Sequence, residues 1–371
     1  MPFGVAPKKM VVAGASGLVG CAVLKRLGNR EDWDIIAVSR RPPFVPLGRA
    51  KHLSVDLTDA AACREAFGGM GDVTHLVYTA VNEKTDDIVA GWFDEKQVAL
   101  NMAMLENLFE PLIKVAKGFQ HVSLVHGAKA YGNHLGGAPI PMKESLPRRP
   151  HNNFYLLQED YIAARAAGRP WSYTVMRPVG IAGDAIGANM NSFLSLAVFA
   201  VLRREAGLDL PMPGGGVCAA IDCCDADLLA EGLEWASGAI AARNQIFNIS
   251  NGDLLATHSV FPVIAAELKM ELSQPHAYDI GTEFQKLAHL WPGIVRKYGL
   301  KAPEDLEALL GTSVQLIGGW SAVVPDGNPL AWGALSTIKI RQAGFGACMD
   351  TLEMVAKYMR RYQELGLIPP V

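Results

Sequence analysis

The chain has 371 residues, half of them hydrophobic, with 34 basic against 37 acidic residues and a net charge of −3. This length exceeds the ~250–300 residues at which a single core stops growing, so a main domain with a smaller attached one is expected. The charge balance leaves no electrostatic footprint for nucleic acid, and the composition excludes collagen-like, low-complexity and globally disordered chains.

The smoothest apolar stretch, residues 193–202, is about half of the ~20 residues that a membrane helix needs. MPFGVAPKKM contains no apolar signal-peptide core. A cytoplasmic protein with no membrane partner is therefore expected. Cys21, Cys63, Cys218, Cys223, Cys224 and Cys348 form no C-x-x-C pair, and the nine histidines form no H-E-x-x-H. They read as reduced thiols, buried or half-buried, with no metal site.

In chain order, an apolar strand at 10–13 leads into a glycine-rich turn and a helix at 18–27. Strands follow at 34–38, 52–55, 74–78, 121–125 and 172–176, with helices at 60–67, 98–115 and 154–167 between them. That alternation predicts an α/β protein with a Rossmann-type, doubly wound parallel sheet covered on both faces. Beyond residue 180 the pattern loosens: a helix at 191–204, another at 225–235, a strand at 246–249, then mainly helices to the end. The expected division is a dinucleotide-binding domain of residues 1–182, to which 217–255 returns. A smaller, mostly helical C-terminal substrate cap of 183–216 and 256–371 would lie over the sheet's carboxyl edge.

VVAGASGLVG places Gly14, Gly17 and Gly20 between a strand and a helix. Glycines there permit a tight turn and close approach of backbone to a pyrophosphate, which the helix N-terminus attracts. An acidic residue about 20 positions further would hold the ribose hydroxyl of NAD. Here the second strand ends in Ser39, Arg40 and Arg41, and two guanidinium groups suit a 2′-phosphate. NADPH is therefore the expected cofactor. Asp56, after the third strand, suits either the adenine edge or a helix N-cap.

The Y-x-x-x-K pair of ordinary short-chain dehydrogenases is absent: Tyr155 has Glu159 at that spacing, and Tyr161 has Arg165. Lys129, in LVHGAKAYG at the end of the fifth strand, and Tyr155, at the start of a helix, could meet over a nicotinamide. An ammonium beside a phenol lowers its pKa and helps it stabilise an oxyanion.

These pieces resemble the progesterone 5β-reductase and iridoid synthase family, an atypical branch of the extended short-chain dehydrogenases. The resemblance rests on DVTHLVY (72–78), HVSLVHGAKAYG (121–132), NNFYLLQED (152–160), WSYTVMRPVGI (171–181), DADLLAE (225–231) and FNISNGD (247–253). It implies Lys129 and Tyr155 as the catalytic pair. It implies that Ser16, Gly17, Leu18, Val19, Arg40, Arg41, Asp56 and Leu57 hold the phosphates, ribose and adenine of NADPH. Ala80, Val81, Val125 and Ile181 would surround the nicotinamide, with Ala188, Asn189 and Met190 over the cofactor. Plant members of the family are often dimers, which makes a homodimer an expectation.

This chain departs from the family at Leu156 (a second Tyr there), at Val81 (a Trp there) and at LVHG (L-Q-T-G there). Residues 311–333 have no secure match. Within them Trp320, preceded by Gly318 and Gly319, is read as a mobile aromatic over the substrate, and Trp332 as structural. The expected activity is NADPH-dependent reduction of the carbonyl-activated C=C bond of a small enone or enal. A carbonyl reductase or alcohol dehydrogenase of the same fold is the first rival, and a non-catalytic NADP-sensing protein the second.

Overall fold

The computed structural model describes residues 8–214, 220–321 and 334–371. Six strands, β1 (Lys8–Ala13), β2 (Trp33–Val38), β3 (Lys51–Leu53), β4 (His75–Tyr78), β5 (His121–Val125) and β6 (Ser172–Arg177), join a seventh, Gln245–Asn248, in one sheet. Its order runs Gln245–Asn248, β6, β5, β4, β1, β2, β3, and every pairing is parallel. This is a Rossmann sheet, as the alternation of elements predicts. Strand order reverses between β1 and β4, so a crevice opens at their carboxyl ends.

The strands read as unbroken apolar runs because both faces are covered. All four residues of β4 are buried. Helices α1 (Leu18–Leu27), α2 (Ala60–Phe67), α3 (Ile88–Gly91), α4 (Glu95–Val115) and α5 (Phe154–Ala166) connect them. Phe67 of α2, Leu105 and Phe109 of α4 and Ile162 of α5 share a core cluster with Val11, Leu76, Val122 and Val175 of the sheet. Helix α1 packs with the helix Ala226–Gly238, where Lys25 pairs with Asp227 at 2.8 Å. Asp59, Asp94 and Asn153 cap α2, α4 and α5 by accepting backbone N–H groups, so these helix starts are set locally.

Two compact units emerge. The first comprises Met1–Pro178, Ala226–Ile249 and Ser336–Gly346; the second comprises Val179–Asp225, Ser250–Leu335 and Ala347–Val371. The boundaries differ from those expected: residues 179–182, 220–225 and 250–255 belong to the second unit, and 336–346 returns to the first. That return has a packing cause. Lys339 donates to the Ile246 carbonyl at 2.9 Å and lies over the Phe247 ring, and Phe345 tilts against Trp235. The segment has no apolar periodicity that would show this.

The second unit is built mainly of helices, among them Ser192–Glu205, Val260–Glu267, Ile280–Leu287, Trp291–Tyr298 and Thr351–Glu364. The apolar run at 193–202 is buried at every position in a 14-residue helix. Among the described residues no helix is long and apolar enough to cross a membrane. Cys21, Cys63, Cys223 and Cys224 are buried, but Cys348 is exposed, contrary to expectation; Cys218 and Trp332 lie outside the described residues.

Candidate active site

The turn after β1 has the form that a diphosphate needs. Gly14 sits at φ +82°, and a side chain there would place its Cβ 2.6 Å from Thr79 Oγ1 and 2.8 Å from Ala80 N. Only glycine meets both demands. Gly17 is the N-cap of α1 and has no side chain to satisfy the first turn, which contains no acidic residue. The free N–H groups and positive end of α1 are thus available to an external anion. Leu18 and Val19 are buried, so they offer backbone rather than side chain; Ser16 and Gly17 are half-buried.

At the end of β2, Ser39 Oγ donates to the Arg41 carbonyl at 2.7 Å and faces His52 Nε2 at 3.2 Å. Ser39 therefore orders the turn that carries Arg40 and Arg41, both exposed. Asp56 accepts from Thr58 N at 2.9 Å and Thr58 Oγ1 at 2.8 Å, and these bonds hold its carboxyl below the usual range. The N-cap of α2 is Asp59 instead. Leu57 is buried in the core cluster that also holds Cys63 and Phe67, so it offers backbone rather than side chain.

Lys129 and Tyr155 come together. Lys129 follows β5 in a short 3-10 turn, and Tyr155 opens α5, where Asn153 accepts its backbone N–H at 2.9 Å. The Lys129 Nζ lies 5.9 Å from the centre of the Tyr155 ring. Gly127 lies beside that ring: a Cβ there would sit 3.9 Å from the Tyr155 hydroxyl, in ordinary contact. No described residue hydrogen-bonds to the hydroxyl. Val81 packs against the cluster of Phe154, Tyr155, Leu156, Val98 and Ala130. Ala80 and Val125 are half-buried at the carboxyl ends of β4 and β5.

Five residues to which the sequence assigned no role complete the arrangement. His126 stacks on Tyr155, and its Nδ1 lies 3.3 Å from Glu159 Oε1. Glu159 also receives Arg177 Nη2 on both oxygens, at 2.6 and 2.8 Å. Glu83, wholly enclosed, pairs with Lys129 at 3.5 Å, and Trp92 lies under the same ammonium at 4.4 Å. This alters the electrostatics expected from a lone lysine. Burial pushes the Tyr155 phenol up, Glu83 pushes it further, and the phenol is not lowered. Burial pulls Lys129 down while Glu83 opposes that fall. Glu83 was foreseeable only as one acidic residue after β4; nothing in its spacing marks its partner.

Residues 55–307 match the family model for the PRISE-like Rossmann-fold domain, more than half of the chain. The chain belongs to this family. The PRISE-like match begins beyond the glycine turn, but two relatives span nearly the whole chain. The short chain dehydrogenase gsfE of Penicillium aethiopicum is 30% identical over 98% of this chain and 100% of its own length. The (S)-8-oxocitronellyl enol synthase ISY2 of Nepeta cataria is 29% identical over 84% of this chain and 79% of its own. The enol synthase of Antirrhinum majus is 27% identical over 99% and 95%. Among solved structures, WbmG of Bordetella bronchiseptica in complex with NAD and UDP superposes with a TM-score of 0.64 at 16% identity, covering 98% of this chain and 97% of that one. Such a likeness establishes the fold.

The remaining candidates lie in the second unit. Ile181 is in a two-residue strand paired with Cys224–Asp225. Asn189 Oδ1 accepts from Thr312 Oγ1 at 2.9 Å, and Ser313 Oγ donates to the Ala188 carbonyl at 2.8 Å. These bonds pin the 188–190 segment, in which Met190 adopts a left-handed φ of 64°. Trp320 differs from its expected form. Gly311–Trp320 is a 3-10 helical run, and Trp320 is 5% exposed, edge-on to Phe193 at 5.0 Å. It packs in the core of its unit because Phe193 offers an aromatic edge there.

Proposed function

We propose that this protein reduces the C=C bond of an enone or enal, using NADPH. Membership of the PRISE-like branch of short-chain dehydrogenases makes an oxidoreductase the coarse reading. The enol synthases among its relatives bear on the finer one, since the name describes a product in which an enol forms. The supporting observation is Tyr155: a buried ring whose hydroxyl has no described hydrogen-bond partner, kept protonated by its surroundings, and near the Lys129–Glu83 pair.

When bound, the reduced nicotinamide supplies a hydride to the β-carbon. Tyr155 donates its hydrogen bond to the substrate carbonyl oxygen, where the displaced π pair collects as an enolate. Such a donor is worth most as charge develops in a dry site. Lys129 and its partners hold the phenol's surroundings in place. The α-carbon takes its proton from water. The glycine turn and the start of α1 would hold the diphosphate, and Arg40 with Arg41 the 2′-phosphate.

The test is NADPH oxidation across a panel of enones and enals, with each product identified. Saturated carbonyl products are expected. Allylic alcohols alone, from hydride addition to the carbonyl carbon, would overturn the reading.

A further inference from the structure

Lys129 does not meet Tyr155 as an isolated cation. Glu83 Oε1 is 3.5 Å from its ammonium, closer than the Tyr155 ring centre at 5.9 Å. The Glu83 side chain has no solvent exposure, and its second oxygen accepts from Gln97 Nε2 at 2.8 Å. Gln97 is fixed in turn, its Oε1 accepting from Lys84 N at 2.9 Å. Trp92 closes the other side of the ammonium at 4.4 Å. The cation is thus held on three sides, and an anion of equal charge opposes its field.

We propose that Glu83 is a positioning residue: it holds Lys129 in an enclosed ion pair, so that Tyr155 meets the substrate as a neutral phenol and the site works on oxyanion-forming acceptors rather than on alcohols. This rests on Tyr155 being the donor to the substrate oxygen. Donation to an oxyanion requires the phenol's proton. Abstraction of a proton from an alcohol, as oxidation demands, requires the phenolate.

The groups facing the pair agree. Around Lys129 stand Glu83, Trp92 and His134, whose ring burial holds down to about 4 and so keeps neutral. Against Tyr155 stand His126, which burial also pulls down, and Phe154. Glu159 lies behind His126 and is matched by Arg177. No uncompensated cation among the described residues faces the phenol.

Glu83→Gln keeps the volume and the acceptor for Gln97 while removing the charge. The readout is tyrosinate absorbance of the unliganded protein against pH, taken as a difference from Tyr155→Phe in the same background. In the wild type, no Tyr155 tyrosinate is expected up to about pH 11, above the ordinary tyrosine range. In Glu83→Gln the midpoint should fall by about one unit or more, because the anion that raises the phenol is gone. Oxidation of a secondary alcohol with NADP at high pH should rise about ten-fold per unit of that fall. Glu83→Asp, which keeps the charge, should behave as the wild type.

A midpoint that does not move, or a wild-type Tyr155 that titrates within the ordinary range, overturns the role of Glu83. Either result leaves the enone reading to its own product assay. If Glu83→Gln fails to fold, the wild-type and Glu83→Asp titrations decide by the same criterion.

Discussion

The imidazole of His126 lies flat against the ring of Tyr155, with 4.5 Å between centroids and 20° between planes. Behind it, Glu159 and Gln158 face the two imidazole nitrogens, and Arg177 grips Glu159 with two nitrogens. The plane of the Tyr155 ring is therefore set by a buried polar network rooted in α5 and β6. Its hydroxyl is left out of that network, which separates what orients the ring from what reacts.

This separation makes Tyr155→Phe a clean test. Stacking on His126 survives, so thermal stability and NADPH binding should change little. Loss of the donor should lower kcat by roughly 10²–10³-fold, about 2.7–4 kcal/mol. Steady-state kinetics with one enone, alongside a melting curve, checks both halves. Undiminished kcat would remove the hydroxyl from the reaction.

Arg40 and Arg41 stand exposed on a turn that Ser39 already orders, so replacing both with Ala should leave the fold intact. A charge-assisted bond to a 2′-phosphate is worth ~1.5–3 kcal/mol, so NADPH affinity should fall about ten-fold or more per lost contact. NADH affinity should hold. Titration of both dinucleotides against the double variant reads this directly, and equal weakening would exclude phosphate recognition.

His75 and His121 face each other across β4 and β5 and are buried. Burial lowers their folded-state values to about 4 and about 3. Below the ordinary histidine value of ~6.5 the unfolded chain binds protons that the native one refuses. Their stability contribution is therefore complete above about pH 6.5 and is lost as pH falls from there. Each ring contributes about 1.4 kcal/mol per pH unit within that window. Urea midpoints at descending pH should show this slope, and His121→Gln should flatten it by about one proton's share. A stability flat from neutral to about pH 5 would contradict the burial of these rings.

Trp320→Ala removes an indole packed on Phe193 in the second unit. Emptying such a position costs about 3–5 kcal/mol. A lowered melting temperature is expected, with unaltered preference between small and bulky enones. A variant that melts like the wild type but loses bulky substrates would return Trp320 to the substrate pocket.

Much of the frame is local and was therefore legible. Gly14 betrays its turn because only glycine takes that φ so close to Thr79. The helix start at residue 60 was legible too, although its cap is Asp59 and not Asp56, because a cap contacts N–H groups only two or three residues away. Alternating apolar runs and helical periods declared a parallel sheet, and helix boundaries such as the end of α5 fell within a residue. Lys129 and Tyr155 were legible through their motifs and place at strand and helix ends.

The sequence by itself determined the kind of sheet, the glycine turn and which side chains could carry the chemistry. Those properties depend on neighbours a few positions apart. Only the tertiary structure decided what surrounds the phenol. Glu83 meets Lys129 across 46 positions, Gln158 reaches Asn101 across 57, and Phe193 shelters Trp320 from solvent. Such contacts have no periodicity, because they form where separate loops and helices converge after the sheet is assembled. Burial, not spacing, then sets the direction of each group's shift, which is why the raised phenol of Tyr155, in place of the lowered one expected beside a lysine, emerges only from the folded chain.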